Sequence, residues 1–298
     1  MSSIYEVPLA FAKENLDEKI AQVLNMWTGR PDLRHWERLF NVQQNPEKQI
    51  RIAMVGKYVD LTESYKSLNE ALYHGGFACA GEVKIEYVDS EKLVDTSTLA
   101  GFDGICVPHG FGSRGVEGKI RAIQYVRESE IPFLGICLGM QMACIEFGRN
   151  VVGLDGAHSS EMVEDSPHPV IDILPEQKEV EDLGGTMRLG AYPCVLQPGS
   201  KAADAYGKLE ISERHRHRWE FNEDYKDQFQ AAGMLFSGSS PDGRLVEVIE
   251  IPSHPFFVAS QFHPEFKSKP FDPHPLFEAF VRAAGKRSQG VEPASSEE

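Results

Sequence analysis

At 298 residues, with 41% hydrophobic and 25% charged residues, the chain has an ordinary globular composition and room for one large or two small domains. Its formal net charge of −15 excludes a basic surface for nucleic acid or for anionic membranes. Five scattered cysteines form no CxxC pair or disulfide framework. No signal peptide is visible, and no apolar run nears the roughly eighteen residues of a membrane helix. Together these predict a reducing, cytoplasmic setting.

In chain order, residues 1–48 combine a predicted helix, Asn15–Trp27, with a polar stretch, Gln43–Glu47, and read as a lead-in segment or linker. The main domain is expected over 49–285. A strand is predicted at Ile50–Val55 and a helix at Ser64–Ala80, with Leu68, Ala71, Leu72 and Phe77 at helical spacing. Val83–Val88 alternates like a strand, and Gly104–Pro108 reads as a buried one. A glycine-rich loop, His109–Gly115, leads into a predicted helix, Val116–Glu128. The apolar stretches Ile131–Leu134 and Phe256–Ala259 are further buried strands, and a helix is predicted from Met140 to Phe147. This alternation implies an α/β fold: a central, mostly parallel sheet with helices on both faces and ligands at the carboxyl ends of its strands. Residues 165–220 read as short β pieces and turns. From Lys286 onward Gly, Ser, Pro and Glu dominate, so 286–298 are expected to form a disordered tail.

The strongest motif is Gly135-Ile136-Cys137-Leu138-Gly139, which joins a predicted strand to a predicted helix. A cysteine between close glycines at such a turn has the pattern of a nucleophile elbow. The glycines suit a strained turn in which side chains would clash with neighbouring strands or the following helix. The helix N-terminus favours a thiolate and offers backbone N–H groups to an oxyanion. A thiol nucleophile needs a base, and Phe262-His263-Pro264-Glu265 ends the last buried strand. In extended chain His263 and Glu265 share a face, so the imidazole takes the proton and the carboxylate sets its tautomer. By itself His-Pro-Glu is weak, since His168, His254 and His274 also precede prolines.

Arg214-His215-Arg216-His217-Arg218 is conspicuous in an acidic chain. It reads either as a solvated loop paired with Glu213 and Glu220, or as an anion site able to fork a carboxylate. His215 and His217 are too crowded by arginines for a metal site. No His, Cys or carboxylate set has zinc spacing, so no metal is expected. Gly118-Lys119 precedes Ile120, and Ser113 stands where a phosphate loop begins with glycine, so ATP binding through a P-loop is excluded.

The elbow Gly135–Gln141 and the stretch Gln261–Phe266 resemble the class I (triad) glutamine amidotransferases. Three further stretches, Val55–Val59, Gly110–Ile120 and Arg214–Arg218, occur in that family's order. They narrow the resemblance to the branch whose ammonia passes to a UTP-aminating synthetase domain. It extends from about Arg51 to about Pro270, and Ser2–Leu9 is similar to the end of that preceding domain. The resemblance therefore implies the C-terminal half of a larger enzyme, which hydrolyses L-glutamine to glutamate and ammonia. Cys137, His263 and Glu265 are the implied triad. Gly110, Phe111, Leu138, Gly139, Met140, Gln141, Glu161 and Arg218 are the implied glutamine contacts. Leu138 and Gly110 supply oxyanion N–H donors, Glu161 takes the α-ammonium and Arg218 the α-carboxylate. A small antiparallel extension, a homo-oligomeric full enzyme, and no nucleic acid or membrane partner are also implied. No cofactor is implied for this chain; ATP, Mg and a GTP effector belong with the synthetase domain, although Arg114 and Glu117 lie in the stretch resembling a GTP-responsive lid.

One position departs. Pro108-His109-Gly110-Phe111 carries histidine where the family has glycine. If that position needs a positive φ, His109 strains the oxyanion loop; if not, its imidazole is expected to point to solvent. The alternative function is a weakly active or non-catalytic regulatory module, and a third keeps the triad but takes γ-glutamyl compounds.

Overall fold

The computed structural model describes residues 3–57, 62–173 and 187–290. The lead-in segment holds a 3₁₀ turn, Ile4–Glu6, and three helices, α1 (Val7–Lys13), α2 (Leu16–Val23) and α3 (Arg34–Gln44). The helix predicted at Asn15–Trp27 is shorter at both ends. Asn15 takes a left-handed φ of 53° ahead of Leu16, and the helix stops at Val23. The segment is tied to the main domain, since the Tyr5 hydroxyl bonds the Glu70 carboxylate and lies 3.0 Å from His74 Nε2. Beyond α2, Leu24 and Met26 are exposed and Trp27 is 98% exposed.

The main domain then runs β1 (Lys48–Gly56), α4 (Lys66–Ala78), β2 (Gly81–Asp89), β3 (Gly104–Val107), α5 (Val116–Glu128), β4 (Phe133–Ile136) and α6 (Leu138–Phe147). It continues with β5 (Ala157–Ser159), β6 (His168–Ile173), β7 (Arg188–Leu196), α7 (Lys201–Tyr206), β8 (Glu210–His217) and β9 (Trp219–Phe221). It closes with α8 (Lys226–Ala231), β10 (Leu235–Ser239), β11 (Val246–Glu250), β12 (Phe257–Ser260) and α9 (Pro275–Ser288). One sheet has the order β2-β1-β3-β4-β12-β11-β10-β7-β8, and a second has β5-β6-β9. The first five strands are parallel, and β11, β10, β7 and β8 extend them antiparallel. That extension was expected to be small, yet it supplies four strands of the main sheet.

Apolar side chains cover both sheet faces. Leu68, Leu72, Phe277 and Phe280 of α4 and α9 pack on one, and Ile120, Ile123, Met140 and Ala143 of α5 and α6 on the other. Each large apolar side chain so buried contributes roughly 1.5–3 kcal/mol. The tail does not begin at 286: α9 runs through Lys286 and Arg287 to Ser288, because its apolar stripe holds the helix on β1. Residues 291–298 of the expected tail, and Tyr58 and Val59 of the Val55–Val59 stretch, lie outside the described residues. Among the described residues no helix is long and apolar enough to cross a membrane.

Candidate active site

Cys137 sits between β4 and α6 with φ 53° and ψ −103°, a region that L residues rarely occupy. The two glycines make this possible. A Cβ on Gly139 would come within 2.1 Å of the Val107 carbonyl oxygen, and one on Gly135 within 2.8 Å of the Ala259 Cβ. The Cys137 carbonyl accepts from the Met140 and Gln141 N–H groups at 3.0 and 3.2 Å, so Cys137 stands at the N-cap position of α6. Its own N–H donates to Ser260 O at 2.7 Å, which fastens the elbow to β12. Burial pushes the thiols of Cys79, Cys106, Cys144 and Cys194 up, making them poor nucleophiles.

The chain end of β12 brings His263 to this elbow, and its N–H donates to Arg214 O at 2.7 Å. His263 Nδ1 lies 2.8 Å from Glu265 Oε1, and both side chains are buried. They do not share an extended face, as the sequence implied. Pro264 opens a 3₁₀ turn, Pro264–Lys267, that carries the carboxylate back to the imidazole. The ring's Nε2 has no hydrogen-bond partner among the described residues. Burial pushes the His263 pKa down, but interactions with Cys137 and Glu265 carry it up to about 10.

The His109–Gly115 loop abuts the elbow: a Cβ on Gly110 would stand 3.2 Å from Leu138 Cδ2. Phe111 is half exposed, its carbonyl accepting from Lys57 Nζ and its ring 5.7 Å from the Arg216 guanidinium. Glu161 accepts from the Gly112 N–H at 3.2 Å. Burial pushes its pKa up, while that hydrogen bond and the charges of Lys57 and Arg218 pull it down. Arg218 follows β8 and lies 5.7 Å from the Trp219 ring. The Met140 side chain belongs to the core behind the elbow.

Gln261 was given no role beyond opening the Gln261–Phe266 stretch, yet its Nε2 lies 3.8 Å from Cys137 Sγ. Gln141 Nε2 donates to Gln261 Oε1 at 3.4 Å and to Trp219 O at 3.1 Å, linking thiol, elbow helix and β9. Position 261, two residues before His263, was the available signal. The arginine cluster is no loop. Along β8, Arg214 and Arg216 are exposed while His215 and His217 are buried. Nor do its arginines pair with Glu213 and Glu220: Glu213 meets Lys267 at 2.8 Å and His274 at 3.4 Å, and Glu220 meets Arg188 at 3.1 Å.

Neither expectation for His109 holds. The position is absent from the residues with positive φ, so the loop needs no glycine there. Its side chain is only 25% exposed and faces the His263–Glu265 pair, with Nδ1 3.5 Å from Glu265 Oε1 and ring centres 5.2 Å from His263. Burial pushes its pKa down against the charge of Glu265, and His263, Lys119 and Arg216 push the same way as burial. A cleft of about 840 Å³ lies elsewhere, between α7, α9 and Pro255, and contributes no residue to this constellation.

The Cys137 elbow, at the end of β4, and His263, just beyond the end of β12, lie at the carboxyl ends of two neighbouring parallel strands. Residues 60–283 match the family described as Glutamine amidotransferase class-I, and the chain belongs to that family. Within it, the chain is similar to a Trypanosoma brucei CTPS glutaminase domain solved with bound acivicin. That likeness has 42% identity and a TM-score of 0.75, over 80% of this chain and 94% of that one. The CTP synthase of Syntrophus aciditrophicus is 56% identical over 95% of this chain and 53% of its own length. The CTP synthase of Geotalea uraniireducens is 57% identical over 94% and 53%. The chain is thus a glutaminase domain of the CTP synthase kind, and it spans about half the length of these relatives.

Proposed function

We propose that the chain hydrolyses L-glutamine to glutamate and ammonia through Cys137, His263 and Glu265. The observation that carries this reading is the left-handed Cys137 elbow beside a buried His263–Glu265 pair at 2.8 Å. The Cys137 thiolate attacks the side-chain amide carbon, and the oxygen takes the charge toward the N–H groups of Leu138 and Gly110. His263, carried to about 10 by Cys137 and Glu265, holds the proton that the departing nitrogen needs. Once the thioester forms, the thiolate charge that supported the imidazolium is gone. The now neutral His263 then takes a proton from water, which attacks the thioester and releases glutamate and the free thiol. Glu161 takes the α-ammonium and Arg218 the α-carboxylate, while Phe111, Gly139, Met140 and Gln141 line the approach with side chain or backbone.

As the glutaminase half of a CTP synthase, the chain delivers ammonia to a synthetase domain that aminates UTP. ATP, Mg and GTP act there and not in this chain, whose setting is cytoplasmic. The exposed Leu24, Met26 and Trp27 beyond α2 form an apolar surface suited to that domain. The test is ammonia release from glutamine by the chain with Cys137 and with Cys137→Ala. The first is expected to turn over and the second not, with unchanged circular dichroism. A glutamine-analogue electrophile should label Cys137 alone. Turnover by Cys137→Ala, or labelling at Cys106 or Cys144, would overturn the assignment.

A further inference from the structure

We propose that His109, His263 and Glu265 form a binding site for a divalent transition cation, with Zn²⁺ the best fit, and that its occupancy silences the triad. His109 belongs to the loop after β3, and the other two to the turn after β12, so no local spacing in the sequence reveals the set. In the fold one donor atom from each lies within 4.8 Å of the other two. His109 Nδ1 and His263 Nδ1 stand 3.5 and 2.8 Å from the same Glu265 oxygen. Among the described residues, the carboxylate's other oxygen, His109 Nδ1 and His263 Nε2 are buried and have no hydrogen-bond partner. The side chains of Glu265 and His263 are 0% and 5% exposed.

Two imidazoles and one carboxylate are a zinc donor set with a fourth position left for water or a thiolate. Ligands at roughly 2.0–2.2 Å in a tetrahedron stand about 3.3 Å apart, so the two spacings onto Glu265 need small adjustments. Lys119 of α5 and Arg216 of β8 face the same His109 ring and repel a cation, which lowers the affinity from what the donors alone would give. A bound ion draws the carboxylate and imidazole onto itself. The pair can then no longer serve Cys137, a consequence that rests on the function proposed above.

The test separates binding from turnover. Metal-free Cys137→Ala is titrated with ZnCl₂ by calorimetry and with Co²⁺ by visible absorption, beside Cys137→Ala/His109→Gln and Cys137→Ala/His109→Gly. The parent is expected to bind one high-affinity ion and give a tetrahedral Co²⁺ spectrum. Removing the His109 ligand should weaken binding at least about ten-fold, the lower end of what metal sites lose even from their supporting groups. Equal binding by all three, or none by the parent, overturns the site. With the thiol present, Zn²⁺ should inhibit glutamine hydrolysis reversibly with a chelator, and His109→Gln should need at least about ten-fold more metal for the same fractional loss. Inhibition at equal metal would mean that the thiol alone captures the ion, and overturns the silencing. If the chain releases no ammonia at all, the proposed function fails while the calorimetry still decides the metal site.

Discussion

Along β2-β1-β3-β4-β12 the strands are parallel and their buried positions are almost wholly apolar, whereas along β11-β10-β7-β8 charged side chains are buried together. Arg188 reaches Glu220 at 3.1 Å and Glu247 at 2.7 Å, and Glu247 also meets His215 at 2.6 Å. Glu250 accepts the Lys201 and Ala202 N–H groups, both at 2.9 Å, and so caps α7. The parallel half is held by burial and presents the proposed triad at its strand ends. The antiparallel half is held by paired charges and presents the arginines of β8 and the loop beyond. A fold can place its chemistry on the half whose geometry is set by packing and its charge recognition on the half whose geometry is set by ion pairs.

The largest expected effect tests that contrast directly. Glu247 is fully buried between Arg188 and His215. Glu247→Ala leaves Arg188 with one carboxylate and should cost about 3–5 kcal/mol, as breaking a buried pair does. Urea unfolding measures this. A loss below about 1 kcal/mol would mean that the antiparallel half is also held by apolar packing. Arg218→Ala should then raise the glutamine KM about ten- to a hundred-fold with little change in kcat, since one charge-assisted bond is worth roughly 1.5–3 kcal/mol. An unchanged KM would assign the carboxylate to another group. Gly139→Ala probes the parallel half. Its Cβ meets the Val107 oxygen at 2.1 Å. It should destabilise by about 1–3 kcal/mol and displace the thiol. Full stability together with full activity would show that the bracket is not needed.

The same contrast explains what the sequence could reveal. The elbow was legible because its determinants, Gly135, Cys137 and Gly139, are neighbours in the chain, and the glycine contacts bear out the expected clashes. The parallel strands and α5 were legible because short apolar runs and helical spacing are local signals. The antiparallel half was not, since Arg188 and Glu247 lie 59 residues apart and nothing local marks them as partners. His109 was legible only as a departure; that it faces Glu265 comes from the meeting of two strand ends. The helical spacing of Leu276, Phe280 and Ala284 in α9 was readable, but the polar residues after Gly285 were taken to end the fold.

The smallest effect concerns a lysine buried in the apolar half with no carboxylate to pair it among the described residues. Lys119 of α5 is fully buried, and its Nζ has no hydrogen-bond partner among the described residues. A Cβ on Gly110 of the oxyanion loop would lie 3.8 Å from it. Burial first, and the charges of Lys57 and Arg114 second, push its pKa down from 10.5 to about 7. The unfolded chain keeps the proton up to about 10.5, whereas the folded chain gives it up above about 7. Below 7 both states carry the charge, and the fold bears the whole penalty of burying it. Between 7 and 10.5 the unfolded state binds more protons, so this group makes stability rise with pH, by at most about 1.4 kcal/mol per pH unit. Lys119→Met removes that rise and should be more stable than the parent at pH 7, with the advantage shrinking toward pH 10. Taking the difference between the two chains at each pH cancels the other buried groups that titrate nearby, such as Glu220, which burial pushes up to about 8. If the stability difference from urea midpoints stays constant from pH 7 to 10, Lys119 keeps its proton in the fold. The apolar half then accommodates a full buried charge, and the contrast between the two halves fails at that point.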